Sequence, residues 1–248
     1  MLNKATVKYI QSLQHKKFRD ADRLFVAEGH KVVTELLQNR HFTCRHIYAL
    51  TSWIDQLDPA LLSEYQPVMV MVSDIELEKL AAYTTANQVV AVFEQRPRTD
   101  FSLKEGWVLM LDDIQDPGNF GTIIRTADWF GVPQVICSPH TVDQYNPKVV
   151  QSTMASLGRV DIQYTDLTAY LPTITDRPVL AATLSGKPLD SFPSTSSGIL
   201  IIGNESKGIS NDCLQRATDT IRIPRIGKAE SLNAAVATGI LLHALTRG

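Results

Sequence analysis

The segment Ile199-Leu200-Ile201-Ile202 is four branched aliphatic residues in a row, without the polar alternate that a half-exposed strand carries. A strand of that kind must be covered on both faces, which is the condition of a parallel sheet flanked by helices. Val108 to Leu111, Gln134 to Cys137, Val179 to Thr183 and Thr220 to Ile223 read as further strands of the same set. Helical periods fall between them at Thr122 to Phe130, Val149 to Leu157 and Asn211 to Ala217, and a closing helix covers Leu232 to Leu245. The alternation predicts an α/β domain with a mostly parallel sheet over residues 106–248.

The first 95 residues carry a smaller α/β series. Helices are expected at Ala5 to Gln14 and Gly29 to Gln38, and strands at Leu24 to Ala27, Ile47 to Leu50, Val68 to Val72 and Val89 to Phe93. Ser73-Asp74-Ile75-Glu76 has the spacing of a capping box and should open a helix through Ala82. Residues 96–105 contain Pro97 and no apolar period and read as the linker. A chain of 248 residues supports two cores of this size.

Charge separates the two parts. Up to Arg45 there are nine cations and four anions, a surplus of five, although the whole chain carries −2. A basic amino-terminal part on an otherwise acidic chain suits contact with phosphates. The three cysteines, Cys44, Cys137 and Cys213, are far apart and form no C-x-x-C pair, so a disulfide framework or a zinc site is not expected. No apolar run reaches the roughly 20 residues of a membrane helix, and Met1 to Lys17 lacks the apolar stretch of a signal peptide, so a cytoplasmic protein without a membrane partner is expected.

In open α/β sheets ligands sit beyond the carboxyl ends of the strands, and four such ends carry unusual sequence. Asp112 to Gly121 is a polar loop with Pro117 and Gly118; Asn119 can cap the helix that follows, and Arg125 lies off that helix's apolar face. Ala182 to Gly186 reads as a plain turn. Gly203 to Ser210 is a glycine-bearing loop with one carboxylate, Glu205. It is not a P-loop, because Lys207 stands before Gly208 and no Gly-Lys-Ser/Thr follows; a G-x-G-x-x-G is missing too. Finally, Ile223 to Ala235 runs from a strand into a helix for which Ser231 is a good N-cap, with Asn233 in the first turn.

Taken in order, Asp116 to Ala127, Ile202 to Ser210, and Ile221 to Pro224 with Glu230 to Ala237 resemble the three motifs of the SpoU/TrmH (SPOUT) family of RNA ribose 2′-O-methyltransferases. Arg23 to Gly29 is similar to the start of that family's L30e-like substrate-binding domain. The resemblance implies a deep trefoil knot in the carboxyl-terminal domain, a homodimer, S-adenosyl-L-methionine as cofactor, no metal, and RNA, in the first place ribosomal RNA, as substrate held by the amino-terminal domain. It implies that Gly203, Asn204, Glu205, Gly208, Ile223, Pro224, Ser231, Leu232 and Asn233 hold the cofactor, with Thr183 and Leu184 on the adenine side. Asn204 stands where the family often has serine or proline.

The same resemblance gives Arg125 the catalytic work, with Asn119 organising its loop; Glu205, near the site, is a further candidate base. A guanidinium titrates above about 12. Arg125 is therefore either a base whose proton an RNA phosphate helps to remove, or a bidentate clamp on that phosphate that stabilises the forming alkoxide. Three other readings are weighed: a non-catalytic RNA-binding or ribosome-assembly protein on the same shell, a transfer-RNA ribose methyltransferase, and an enzyme that modifies a base nitrogen.

Overall fold

A computed structural model describes residues 2–82, 88–97, 102–193 and 195–246. In chain order the elements are α1 (Lys4–Ser12), α2 (Lys16–Asp22), β1 (Leu24–Glu28), α3 (His30–Asn39), β2 (Cys44–Ala49), α4 (Thr51–Ile54), α5 (Pro59–Tyr65), β3 (Met69–Met71), α6 (Asp74–Leu80) and β4 (Val89–Glu94). There follow β5 (Trp107–Asp112), α7 (Pro117–Trp129), β6 (Gln134–Cys137), α8 (Pro147–Ser152), β7 (Asp161–Tyr164), α9 (Leu167–Tyr170), β8 (Val179–Pro188), β9 (Gly198–Gly203), α10 (Asn211–Leu214), β10 (Asp219–Arg222) and α11 (Ala234–Leu245).

The chain forms two compact units. Unit 1 gathers Met1–Thr99 with Asp143–Gly158, and unit 2 gathers Asp100–Val142 with Arg159–Gly248. The division into continuous blocks at 95 and 106 thus differs from this grouping at one segment, Asp143–Gly158, which packs with the amino-terminal residues. The reason lies in what that segment supplies. Arg19 is 1% exposed and donates to the Asp143 carboxylate at 2.6 Å. The Tyr145 ring lies 4.8 Å from Phe25 and 6.3 Å from Phe42, and its hydroxyl accepts from the Arg96 N–H. A buried guanidinium needs a charge partner, and here that partner comes from residue 143.

Unit 1 is built on a mixed sheet in the order β1-β4-β2-β3, with β4 antiparallel to both β1 and β2, and β2 parallel to β3. α3 buries Val32, Val33, Leu36 and Leu37, the face expected from their spacing. The capping box forms as predicted: Ser73 N–H and its hydroxyl both donate to the Glu76 carboxylate at 3.0 Å. The segment expected as one helix from Val149 to Leu157 is shorter and starts earlier, because Asn146 caps it and Pro147 takes its first position. It ends before Met154 and Ala155, whose φ values of 48° and 69° are left-handed. The helices α2, α4, α5 and α9 and strand β7 were not expected, being only 4 to 7 residues long.

Unit 2 is a six-stranded sheet, β10-β8-β9-β5-β6-β7, in which every pairing is parallel. Val108 to Leu111 and Ile199 to Ile201 are fully buried, as an uninterrupted aliphatic strand requires. All three cysteines are buried free thiols.

Two expectations follow. Arg19→Ala leaves the Asp143 carboxylate without its partner and should cost about 3–5 kcal/mol; amide exchange in β1 and β4 during urea unfolding reads that loss within unit 1. Glu76 also accepts from the Leu2 N–H at 2.6 Å. The Ser73 N–H first, then Leu2 N–H and the Ser73 hydroxyl, hold its carboxyl at about 2, below the ordinary 4.5. Its contribution is therefore complete above pH 4.5 and lost as pH falls through about 2. The melting-temperature gap between wild type and Glu76→Gln should close over that window.

Candidate functional site

The site begins with a register. β5 lies against β9 with Asp112 opposite Gly203, so two strands deliver their ends, and the loops after them, to one edge. The buried Asp112 carboxylate accepts from the Ser210 N–H at 2.8 Å, tying the far end of the second loop back to β5. Asp113 turns away with φ 61°. Its N–H donates to the Ser138 hydroxyl at 2.9 Å, and its carbonyl accepts from the Asn204 amide at 2.7 Å.

The loop from Gly203 to Gly208 closes on itself. Asn204 and Gly208 exchange backbone hydrogen bonds at 3.1 and 2.9 Å. The Asn204 side-chain oxygen accepts from the N–H groups of Ser206 and Lys207 at 2.9 and 3.0 Å. Asparagine thus suits a position where serine or proline is often found, because its amide serves this turn and Asp113 together. Gly208 has φ 71°, and a Cβ on Gly203 would lie 2.4 Å from the Gly208 carbonyl carbon. Both glycines are required by geometry rather than by any side chain.

The first motif differs from expectation in its cap. Asp116, not Asn119, caps α7, accepting from the Asn119 N–H at 2.7 Å, and Pro117 occupies the first helical position. This releases the Asn119 amide. Its nitrogen donates to the Glu205 carboxylate at 2.7 Å, and its oxygen accepts from the Asn233 amide at 2.8 Å. The third motif differs in the same way. Asn233, not Ser231, caps α11, accepting from the N–H groups of Ala235 and Val236 at 2.9 and 3.3 Å. Ser231 and Leu232 lie just before that helix, exposed. Three loops, distant in sequence, are therefore joined through one chain of amides, Asn233 to Asn119 to Glu205.

Thr183 and Leu184 sit where β8 departs from its neighbours. The stretch read as a plain turn belongs to a ten-residue strand. Its pairing with β10 jumps from Ala181 opposite Thr220 to Lys187 opposite Ile221, leaving residues 182–186 bulged. A Cβ on Gly186 would lie 2.6 Å from the Thr220 carbonyl carbon, so this bulge closes only over glycine. The Thr183 hydroxyl is buried without a hydrogen-bond partner in the described structure, while Leu184 is 74% exposed. The bulge thus presents a hydroxyl with unused hydrogen-bonding capacity beside an exposed apolar side chain. Ile223 and Pro224 follow directly on β10.

Arg125 is exposed on α7, on the stripe it shares with Thr122 and Trp129. It enters none of the described side-chain hydrogen bonds or ion pairs, so the amide chain and Arg125 are separate features of the same helix. Sequence reasoning missed Asp113 and Asp116, although Asp-Pro ahead of a helix is a cap signal.

Comparison with known proteins gives the following. The model of the SpoU rRNA methylase family matches residues 106–243, and that of the MRM3-like substrate binding domain matches residues 4–91. The chain is 29% identical over 242 residues to the 23S rRNA (guanosine(2553)-2′-O)-methyltransferase RlmP of Bacillus subtilis, covering 96% of this chain and 95% of the relative. Among solved structures it is similar to a TrmH-family RNA methyltransferase of Porphyromonas gingivalis, with TM-score 0.86, 33% identity, and 99% and 98% of the two chains covered. It is similar also to an AdoMet-bound rRNA methyltransferase of Sinorhizobium meliloti, with TM-score 0.88, 29% identity, and 100% and 96% covered.

Gly203→Ala forces the loop apart and should cost about 1–3 kcal/mol. Faster amide exchange confined to residues 204–208 would locate the damage in the loop, whereas unchanged exchange there would contradict the close approach.

Proposed function

Because the chain belongs to the SpoU rRNA methylase family, and so is an S-adenosylmethionine-dependent RNA ribose 2′-O-methyltransferase, we propose that the methyl group is transferred at the edge where Asn119 bridges Glu205 and Asn233. Bound there, S-adenosylmethionine supplies a methyl group on a sulfonium, whose departure as a neutral thioether needs no metal. Gly203, Asn204, Glu205 and Gly208 would hold one side of it, and Ile223, Pro224, Ser231, Leu232 and Asn233 the other. Thr183 and Leu184 would meet the adenine. The unpartnered Thr183 hydroxyl and the exposed apolar side chains of Leu184 and Leu232 fit that ligand.

The chain's own task is to align the 2′-hydroxyl and to stabilise the charge it develops. Arg125 is exposed, and no carboxylate competes for it among the described ion pairs. A guanidinium, a planar fork of donors with no acceptor, is a clamp before it is a base. We assign it the bidentate hold on the RNA phosphate, next to the forming alkoxide. The Asn119 amide holds one oxygen of Glu205, which leaves the second oxygen free to take the proton.

Ribosomal RNA is the proposed substrate, supported by the family's description and by the full-length likeness to rRNA methyltransferases. Unit 1 is the proposed RNA-holding part, supported by the substrate-binding-domain match and the basic surplus near the amino terminus. A homodimer belongs to the same reading. α7 and α11 pack together, and they leave Trp129 84% and Val236 51% exposed, apolar surface that a second copy would cover. The family's trefoil knot and a cytoplasmic location complete the proposal; no helix among the described residues is long and apolar enough to cross a membrane.

Arg125→Ala should lower methyl transfer from labelled cofactor to protein-free ribosomal RNA by about a hundredfold or more, with cofactor affinity unchanged in calorimetry. Arg125→Lys, which keeps the charge and loses the fork, should recover only a small part. Wild-type turnover in Arg125→Ala would overturn the assignment.

A further inference from the structure

α1 divides its residues cleanly. Val7, Ile10 and Leu13 pack into the core of unit 1 with Tyr48 and Leu80, while Lys4, Lys8 and Tyr9 form an exposed stripe. The turn into α2 is fixed by the buried Arg19, which donates to the carbonyls of Leu13 and Gln14 at 2.9 and 2.7 Å. Burying Arg19 turns the residue before it outward. Phe18 is 43% exposed and Tyr9 41%. The Lys17 ammonium lies 6.0 Å from the centre of the Phe18 ring, at the outer limit of a cation–π contact. Lys4, Lys8 and Lys17 take part in none of the described ion pairs.

Two aromatic rings held outward on a locked helical hairpin, among uncommitted ammonium groups, match one kind of partner well. Aromatic faces stack on bases, and ammonium groups meet phosphates. A duplex keeps its bases stacked within itself and offers such a face little, whereas loops and single strands offer splayed bases. From this we propose that the outer face of α1 and α2 is a stacking platform for unpaired RNA nucleotides, with Phe18 and Tyr9 as the stacking surfaces and Lys4, Lys8 and Lys17 on the backbone. The inference rests on the reading of unit 1 as the RNA-holding part and deepens it, naming unpaired bases as what this face holds.

The test uses the full chain and a short single-stranded oligoribonucleotide carrying 2-aminopurine, with a duplex of the same sequence as control. Phe18→Ala should weaken binding of the single strand about tenfold, the loss of one stacked base. It should reduce the quenching of 2-aminopurine markedly, raise KM for ribosomal RNA with kcat unchanged, and leave cofactor affinity as it was. Phe18→Trp should restore both affinity and quenching, an outcome that a purely structural role would not produce. Tyr9→Leu should act in the same direction. If Phe18→Ala binds the single strand like wild type while methyl transfer proceeds normally, the platform is refuted and the enzyme stands. If quenching depends on Phe18 but wild type transfers no methyl group to any RNA, the platform stands and the assignment of activity fails. A change in self-association with RNA affinity intact would make this face a protein contact and overturn the proposal.

Discussion

A parallel sheet brings its strand ends to one edge, and in unit 2 the register of β5 against β9 decides which residues meet there. With Asp112 opposite Gly203, the loop after β9 begins where the Asp112 carboxylate can hold its far end through Ser210. A one-residue slip would exchange the faces of every side chain on β9 and carry Ser210 and Asn204 away from Asp112 and Asp113. The close approach of those two backbones admits no side chain at 203. The placement of Glu205 and the anchoring through Asp112 and Asp113 depend on this pairing, which the four aliphatic residues of β9 secure by burial on both faces.

What joins the other motifs to that loop is an amide, and the chemistry permits few alternatives. Asn119 donates to a carboxylate and accepts from an amide at once. An aspartate there would set a second carboxylate against Glu205, and an alanine would remove the link and leave the Glu205 oxygen and the Asn233 amide nitrogen to solvent. Asn233 is constrained in the same way, because its oxygen caps α11 while its nitrogen reaches Asn119. The two helix starts and the glycine loop are thus held together by polar side chains that each serve two partners or a partner and a helix end. The edge is therefore positioned by the chain's own contacts.

The strands of both sheets, β7 excepted, were legible because hydrophobic runs and their alternation report burial directly, and the order of the three motifs marked where they converge. The amide chain was not legible. Its links join residues 86 and 114 positions apart, and no local pattern carries that information. The caps went wrong for a related reason. Asp116 and Asn119 are both good caps, as are Ser231 and Asn233; in the first pair the side chain used elsewhere is not the cap, whereas in the second Asn233 does both. The bulge in β8 was hidden because residues 182–186 have the composition of a turn, and only β10 shows that the strand continues beyond them.

The grouping of Asp143–Gly158 with unit 1 has a consequence for how the chain becomes a protein. The core of unit 1 contains Tyr145, Val149 and Val150 besides the residues of its first stretch, and its buried guanidinium is neutralised from 124 positions away. Closing so long a loop costs entropy that grows only logarithmically with length, so stability tolerates it. Folding rate is less forgiving, because that cost falls due before the contacts form. Unit 1 is therefore complete only once the chain has been made past Gly158, well beyond residue 91, where the substrate-binding-domain match ends. Cutting the chain near residue 95 would not isolate an intact unit: it would leave Arg19 buried without its counter-charge on one side, and Asp143 and Tyr145 without partners on the other.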